Sequence, residues 1–242
     1  MNDFNNYNYD SNYQVEQTSS YFFNSFVDTQ AVVKKAFGLM VIALIITAIG
    51  AVITPPETAI RMMSGGSYFI LIIAELALVF VSNYAISQNN VVLAAILYAA
   101  YSFITGMTFS ILALVYTGSS ITSVFLITAA TFGLMCLYGY TTQADLSSFG
   151  NICIMGLLGL VITTFVNMLF LHSEGISLIL SYVGVLVFVG LTAYDVQKIK
   201  NMSETIGEDN ENALALFGAF QLYLDFINLF LRLLRILGNR RR

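Results

Sequence analysis

Residues 213–237 read ALALFGAFQLYLDFINLFLRLLRIL, and whether they cross a membrane decides the fold. The run is apolar for roughly two dozen residues, but it carries Asp225 near its middle and Arg232 and Arg235 towards its end. At ~1.5 Å of rise per residue, such a helix covers a hydrocarbon core of about 30 Å. Charge argues differently. A full span puts Lys34, Lys35, Lys198 and Lys200 on one face, and Arg61, Arg232, Arg235, Arg240, Arg241 and Arg242 on the other. That is four against six. A re-entrant last segment would make the split nine to one, nearer the usual bias of basic residues to the cytoplasmic side. Length is the stronger constraint, and the segment is expected to span.

Six more apolar segments precede it, at about 32–53, 68–85, 91–116, 121–140, 151–171 and 176–199. The first stops at Thr54-Pro55-Pro56, where proline cannot continue a helix. The connections are short, so successive helices are expected to run antiparallel. Gly156, Gly159, Gly184 and Gly190 mark places where helices can approach closely. The reading is an all-α membrane protein: a polar tail over 1–31, a seven-helix transmembrane domain over 32–238, and a basic tail over 239–242.

Composition agrees. Hydrophobic residues make up 57% of the 242 and charged ones 10%, against about 25% in soluble domains. Ten Lys and Arg in a chain of net charge −4 exclude a nucleic-acid partner; the lipid bilayer is the partner expected. Cys136 and Cys153 lie in apolar runs and read as small hydrophobes. His172, the single histidine, lies in a short loop, which argues against zinc or histidine-based catalysis. The Asn-, Tyr- and Ser-rich start has no Lys or Arg in its first thirty residues, so it reads as a disordered or surface-lying tail and not a secretory signal.

The chemistry sits in the carboxylates. A charge in the hydrocarbon layer costs about 2.5 kcal/mol or more, and such groups face the bundle interior and mark ion or proton routes. Asp225 has no counter-charge within a turn of its own helix; Asn228 is one turn on and Arg232 two. Asp195, in GLTAYDVQKIK, has Lys198 three residues later, so its plainer reading is a helical ion pair. If these two helices form a hairpin across the loop at 201–212, the two aspartates meet. Two carboxylates in contact cannot both ionise easily, which makes a shared-proton pair and a pH switch. Glu75, in IIAELALVF, is a third intramembrane carboxylate; its plainer reading is a hydrogen bond to Ser, Thr or Asn of a neighbouring helix. Oxygen ligands alone favour calcium, magnesium or protons, so Asp195, Asp225 and Glu75 are candidate cation ligands. Asp145, ahead of the fifth apolar run, reads as a turn or helix-start residue. A rival chemistry is the intramembrane aspartyl protease, which shares the Tyr-Asp dipeptide seen at Tyr194-Asp195. Leu222-Tyr223-Leu224-Asp225 lacks the glycines of that enzyme's second motif, so no enzyme is expected.

Three blocks, FLITAATFGLMCLYGYTTQADLSSFG, VGVLVFVGLTAYDVQKIK and LYLDFINLFLRLLRILGNRRR, resemble the bacterial branch of the Bax inhibitor-1 (transmembrane Bax inhibitor motif) family. The likeness covers almost everything from Ala31 onward. It implies six helices around a central seventh, a pH-sensitive calcium leak, and a proton-sensing pair matching Asp195 and Asp225, with Glu75 matching the family's acidic residue in the second helix. It also implies a multi-pass protein of a bacterial inner membrane with its N-terminus inside. The family pattern includes an arginine near the end of the second helix that latches onto the first aspartate. Here that stretch is VSNYAISQNN, without Arg or Lys. The closed state must then be held by the aspartate pair, by Asn83 or by a cation from elsewhere.

The expected function is a calcium leak gated by protonation of Asp195 and Asp225, with calcium as permeant or bound ion and no other cofactor. The alternatives are a regulator that binds a membrane protease or stress-response partner, and a proton-coupled cation exchanger.

Overall fold

The computed structural model describes residues 29–64, 67–205 and 210–241. The tail expected over 1–31 lies outside these residues except for its last three positions, which already belong to the first helix. The helices are α1 (Thr29–Ile53), α2 (Pro56–Ser64), α3 (Ser67–Ser87), α4 (Val91–Phe109), α5 (Leu112–Val115), α6 (Gly118–Thr141), α7 (Ser147–Val166), α8 (Glu174–Ser203) and α9 (Glu211–Leu237). A π-turn, Asn167–Leu171, prolongs α7. Among the described residues, seven stretches are long and apolar enough to cross a membrane: α1, α3, α4 with α5, α6, α7 with its π-turn, α8 and α9. The last segment is thus one unbroken helix, as its length demands.

Two boundaries differ from expectation. The prolines at 55 and 56 end α1 but also begin α2, a short helix between the first two apolar runs. Thr54 closes α1 by donating its hydroxyl to the Gly50 carbonyl at 2.7 Å. Pro56 then takes the first position of α2, where a missing N–H is harmless and φ is already helical. The third apolar run is broken at Ser110, whose N–H is shared between the Gly106 and Met107 carbonyls. Elsewhere the punctuation follows side chains: Asn90, Thr117 and Ser173 cap α4, α6 and α8 by accepting from Leu93, Ser120 and Ile176 N–H groups.

The lipid-facing helices bury 11% to 44% of their apolar windows inside the protein, whereas α9 buries 72%. It packs against α8, α1, α6, α3 and α4, while α7 leans chiefly on α8. Helices meet most tightly at glycines the sequence reading passed over. A methyl group on Gly106 would lie 2.2 Å from the Thr47 carbonyl oxygen, and one on Gly139 2.2 Å from that of Ala193. Of the four glycines singled out beforehand, Gly190 faces Cys153 and Phe149, Gly184 faces Arg232, and Gly156 touches only Val187. Gly159 is exposed with nothing within 4 Å and is not a packing position.

The basic end of the chain is docked. Arg241 N–H donates to the Val115 carbonyl at 2.8 Å, and Thr117 N–H donates to the Asn239 carbonyl at 3.1 Å. Arg240 lies 3.8 Å from Glu174, at the start of α8. At the other end of α9, Lys35 pairs with Glu211 at 3.6 Å and donates to Asn212 Oδ1. The two ends of α9 therefore meet opposite ends of the bundle.

Candidate functional site

α8 and α9 run antiparallel, and each turns its apolar and small residues to the other, so a polar residue on those faces has no water to retreat to. Asp195 and Asp225 both lie there, 7% and 5% exposed. Their carboxyl groups are within side-chain hydrogen-bond reach of each other. Asp225 Oδ2 is buried without a hydrogen-bond partner among the described residues. That is costly for a polar oxygen unless a proton, a water or a cation meets it.

The surroundings of the pair come from three helices. The Cys136 thiol of α6 is close enough to feel the charge of Asp225. Phe226, next along α9, stacks edge-on against Phe132 and Phe125 of α6, each at a centroid distance of 5.4 Å. Lys198 acts on Asp195 electrostatically, yet no Asp195–Lys198 ion pair forms among the described residues. The ammonium instead lies over the rings of Phe217 and Tyr194, at 5.4 and 6.0 Å. The plain helical ion pair is not what the fold builds.

Glu75 stands elsewhere. It accepts a hydrogen bond from Thr108 of α4 at 3.0 Å, and Tyr101 and Tyr223 are near enough to sense its charge. No three His, Cys, Asp or Glu side chains among the described residues gather into a metal-binding group. The three carboxylates thus form a pair and an outlier, not one cluster. Asn83 donates to the Val79 carbonyl of its own helix at 3.0 Å, so that amide group is spent locally. Asp145 accepts from Ser147 N–H at 2.9 Å just before α7, the turn role expected of it. Hydrogen bonding from the Ser147 side chain, and then from its N–H, holds the Asp145 carboxyl below the usual carboxylate range. Cys136 and Cys153 are free and buried.

Several supporting residues escaped the sequence reading. Tyr223 on α9 shares a 2.6 Å hydrogen bond with Thr47 of α1. Tyr98 and Tyr101 of α4 pack edge-on against Phe220 and Tyr223, and the Tyr98 hydroxyl donates to the Ala219 carbonyl at 3.1 Å. This aromatic block fixes the face of α9 roughly opposite Asp225, which Tyr223 precedes by two residues, about half a turn. Gln197 clamps the α6–α7 loop, accepting from Leu146 N–H and donating to the Ala144 carbonyl, both at 2.8 Å. A glutamine two residues after a buried aspartate was the available signal, since an amide in an apolar helix needs partners.

Comparison with known proteins adds the ancestry. Residues 29–242 match the model of the family described as inhibitor of apoptosis-promoting Bax1. The chain is 45% identical to the inner membrane protein YbhL of Escherichia coli (strain K12) over 218 residues, 88% of this chain and 93% of that protein. A Rickettsia prowazekii (strain Madrid E) protein is 44% identical over 86% of this chain and 89% of its own length. A Borreliella burgdorferi protein is 43% identical over 86% and 91%. With its seven spans and a family match from the first helix to the last residue, the chain is a multi-pass membrane protein and belongs to the Bax inhibitor family.

Proposed function

We propose that this chain is a calcium-permeable leak whose conductance is set by a proton shared between Asp195 and Asp225. The observation that carries the reading is the contact of two carboxyl groups inside membrane-spanning helices, with Asp225 Oδ2 unpartnered. Two ionised carboxylates are acceptors only, so their contact is repulsive. One proton between them turns it into a hydrogen bond that ties α8 to α9. Loss of that proton leaves two negative charges that must separate or take up a cation. Their hard oxygens suit a divalent ion such as calcium. Two carboxylates are far short of a full calcium shell, so water completes it and the ion leaves readily, as conduction requires.

In this reading Glu75 is a second cation contact, on the Tyr101–Tyr223 side of α9. Lys198 supplies the standing positive charge near Asp195 that the stretch 81–90 lacks. The function is ion passage without covalent chemistry or a resident cofactor. The seven spans and the likeness to a protein named for the inner membrane support the same location in a bacterial cell.

The test is calcium entry into dye-loaded liposomes across the neutral pH range, for the wild type, Asp195→Asn and Asp225→Asn, each shown to be folded. The reading requires flux that rises as the pair loses its proton, and a pH response abolished in both variants. Absence of flux above empty liposomes at every pH would overturn it and turn attention to a protein partner. Uphill calcium movement driven by an imposed proton gradient would make the protein an exchanger instead.

A further inference from the structure

At the end of the bundle where the chain terminates, a cavity of about 360 Å³ opens between the π-turn after α7, the start of α8 and the end of α9. Arg232 and Arg235 both line it, three residues apart on one face of α9. Among the described residues neither makes an ion pair or donates a hydrogen bond, and Arg235 is close enough for its charge to act on the Arg232 guanidinium. Arg232 is half-buried, with its stem laid along α8 where Gly184 leaves room; a methyl group there would lie 3.0 Å from its Cδ and Nε. Two like charges held side by side with ten unused N–H donors call for an anion.

The rest of the cavity combines the apolar side chains of Met168 and Leu180 with polar groups held in place by hydrogen bonds. Asn167 donates to the Ser173 carbonyl and to Ser177 Oγ, at 3.2 and 2.7 Å, and accepts from Ser173 N–H at 3.0 Å. Its side chain thereby locks the turn onto α8. Ser177 Oγ accepts that bond, which leaves its own proton to offer. His172, in the left-handed region at φ 49°, closes the π-turn and also lines the cavity. Glu174 is the one acid on the wall, but it is exposed and lies against Arg240, outside the arginine pair. Leu169, Phe170 and Leu171 beside the mouth are exposed apolar side chains at the end of a membrane span, so the opening lies where lipid headgroups meet acyl chains.

We infer that this cavity binds the phosphate of an anionic phospholipid headgroup, held by Arg232 and Arg235 with Ser177 and His172 as further donors. Arginine matches phosphate through paired N–H groups and stays charged at this depth. Helix-end arginines also reach for water and complement the helix dipole. That accounts for Arg235 alone, but not for a half-buried Arg232 directed with it into the same cavity. The inference stands apart from the calcium leak.

The test is native mass spectrometry of the full chain in detergent, titrated separately with phosphatidylglycerol, phosphatidylcholine and inorganic phosphate. The wild type should retain one phosphatidylglycerol at concentrations about tenfold or more below those needed for phosphatidylcholine, a difference of ~1.4 kcal/mol. The double variant Arg232→Gln/Arg235→Gln should lose that preference, and Arg240→Gln should keep it. If the double variant fails to fold, Arg235→Gln alone, at an exposed position, should weaken phosphatidylglycerol binding severalfold. A folded double variant that still prefers phosphatidylglycerol would overturn the site. Inorganic phosphate displacing the lipid at equal concentration would overturn the assignment to a lipid.

Discussion

α3 and α9 cross the same bilayer, yet α3 buries 11% of its apolar window inside the protein and α9 buries 72%. The more enclosed helix is also the more polar one, carrying Asp225, Asn228 and two arginines where α3 has Glu75 and Asn83. In water this ordering would be reversed. In lipid an isoleucine gains nothing by turning inward, so Ile70, Ile73 and Phe80 of α3 face out, while polar groups and close-packing small residues go in. Burial in this protein is set by what lipid cannot accommodate, not by what water expels.

The largest expected effect sharpens that contrast within one helix. Gly139→Leu on α6 drives a side chain into the α8 backbone and should cost more than about 3 kcal/mol, enough to prevent folding. Leu134→Ala on the same helix, at a lipid-exposed position, should shift stability by no more than about 0.5 kcal/mol. Thermal unfolding in detergent compares the two; equal losses would break the distinction between inner and outer faces.

Next in size is the proton dependence of flux. Asp225→Asn replaces one charge with a neutral amide that can donate permanently to Asp195. Under the proposed leak, an on-the-order-of-tenfold rise in calcium flux across the neutral range should shrink to less than about twofold. An unchanged pH profile in this variant would remove the sensor from the inner face of α9.

Much of this was legible, and the reason is physical. A carboxylate in an apolar run is conspicuous because its cost is high, so Asp195, Asp225 and Glu75 could each be found without a structure. Their grouping was less so. The hairpin argument joined the first two, but only the packing of α3 on α4 shows that Glu75 has Thr108 as its partner and stands apart from the pair. Lys198 read as the i+3 partner of Asp195 because local spacing was the only geometry available. Contact with α9 turns the aspartate inward and leaves the ammonium over Phe217, a residue of another helix. Gly50 and Gly106 were passed over for the same reason, since close approach depends on which helices are neighbours. The proline pair showed where α1 stops but hid α2, since the same residue can end one helix and begin another.

Two smaller effects test the supports. Tyr223→Phe removes the hydrogen bond to Thr47 while keeping the ring among Tyr98, Tyr101 and Phe220. It should cost about 1 kcal/mol in thermal unfolding, typical of an interhelical hydrogen bond within a membrane. A loss below measurement would mean that the Thr47 bond adds nothing to the packing of α1 on α9.

Smallest is Asp145, outside the spans. Its folded carboxyl is held below the usual range by Ser147, so its contribution is present above the unfolded pKa of about 3.9 and fades as pH falls through the lower folded value. Asp145→Asn should leave neutral stability nearly unchanged and flatten only the acid end of a stability–pH curve. A change confined to neutral pH would refute the assigned sign.

The docking of Asn239 and Arg241 beside Val115 and Thr117 has a bearing on how the protein is oriented in a cell. Seven crossings are an odd number, so the chain leaves the membrane on the side opposite to Lys34 and Lys35. A reporter fused at the tail and one placed ahead of the first helix must therefore answer from different compartments. If both lit up on the same side, one crossing would have been lost, and with it the seating of the chain's last residues against the corner between α5 and α6.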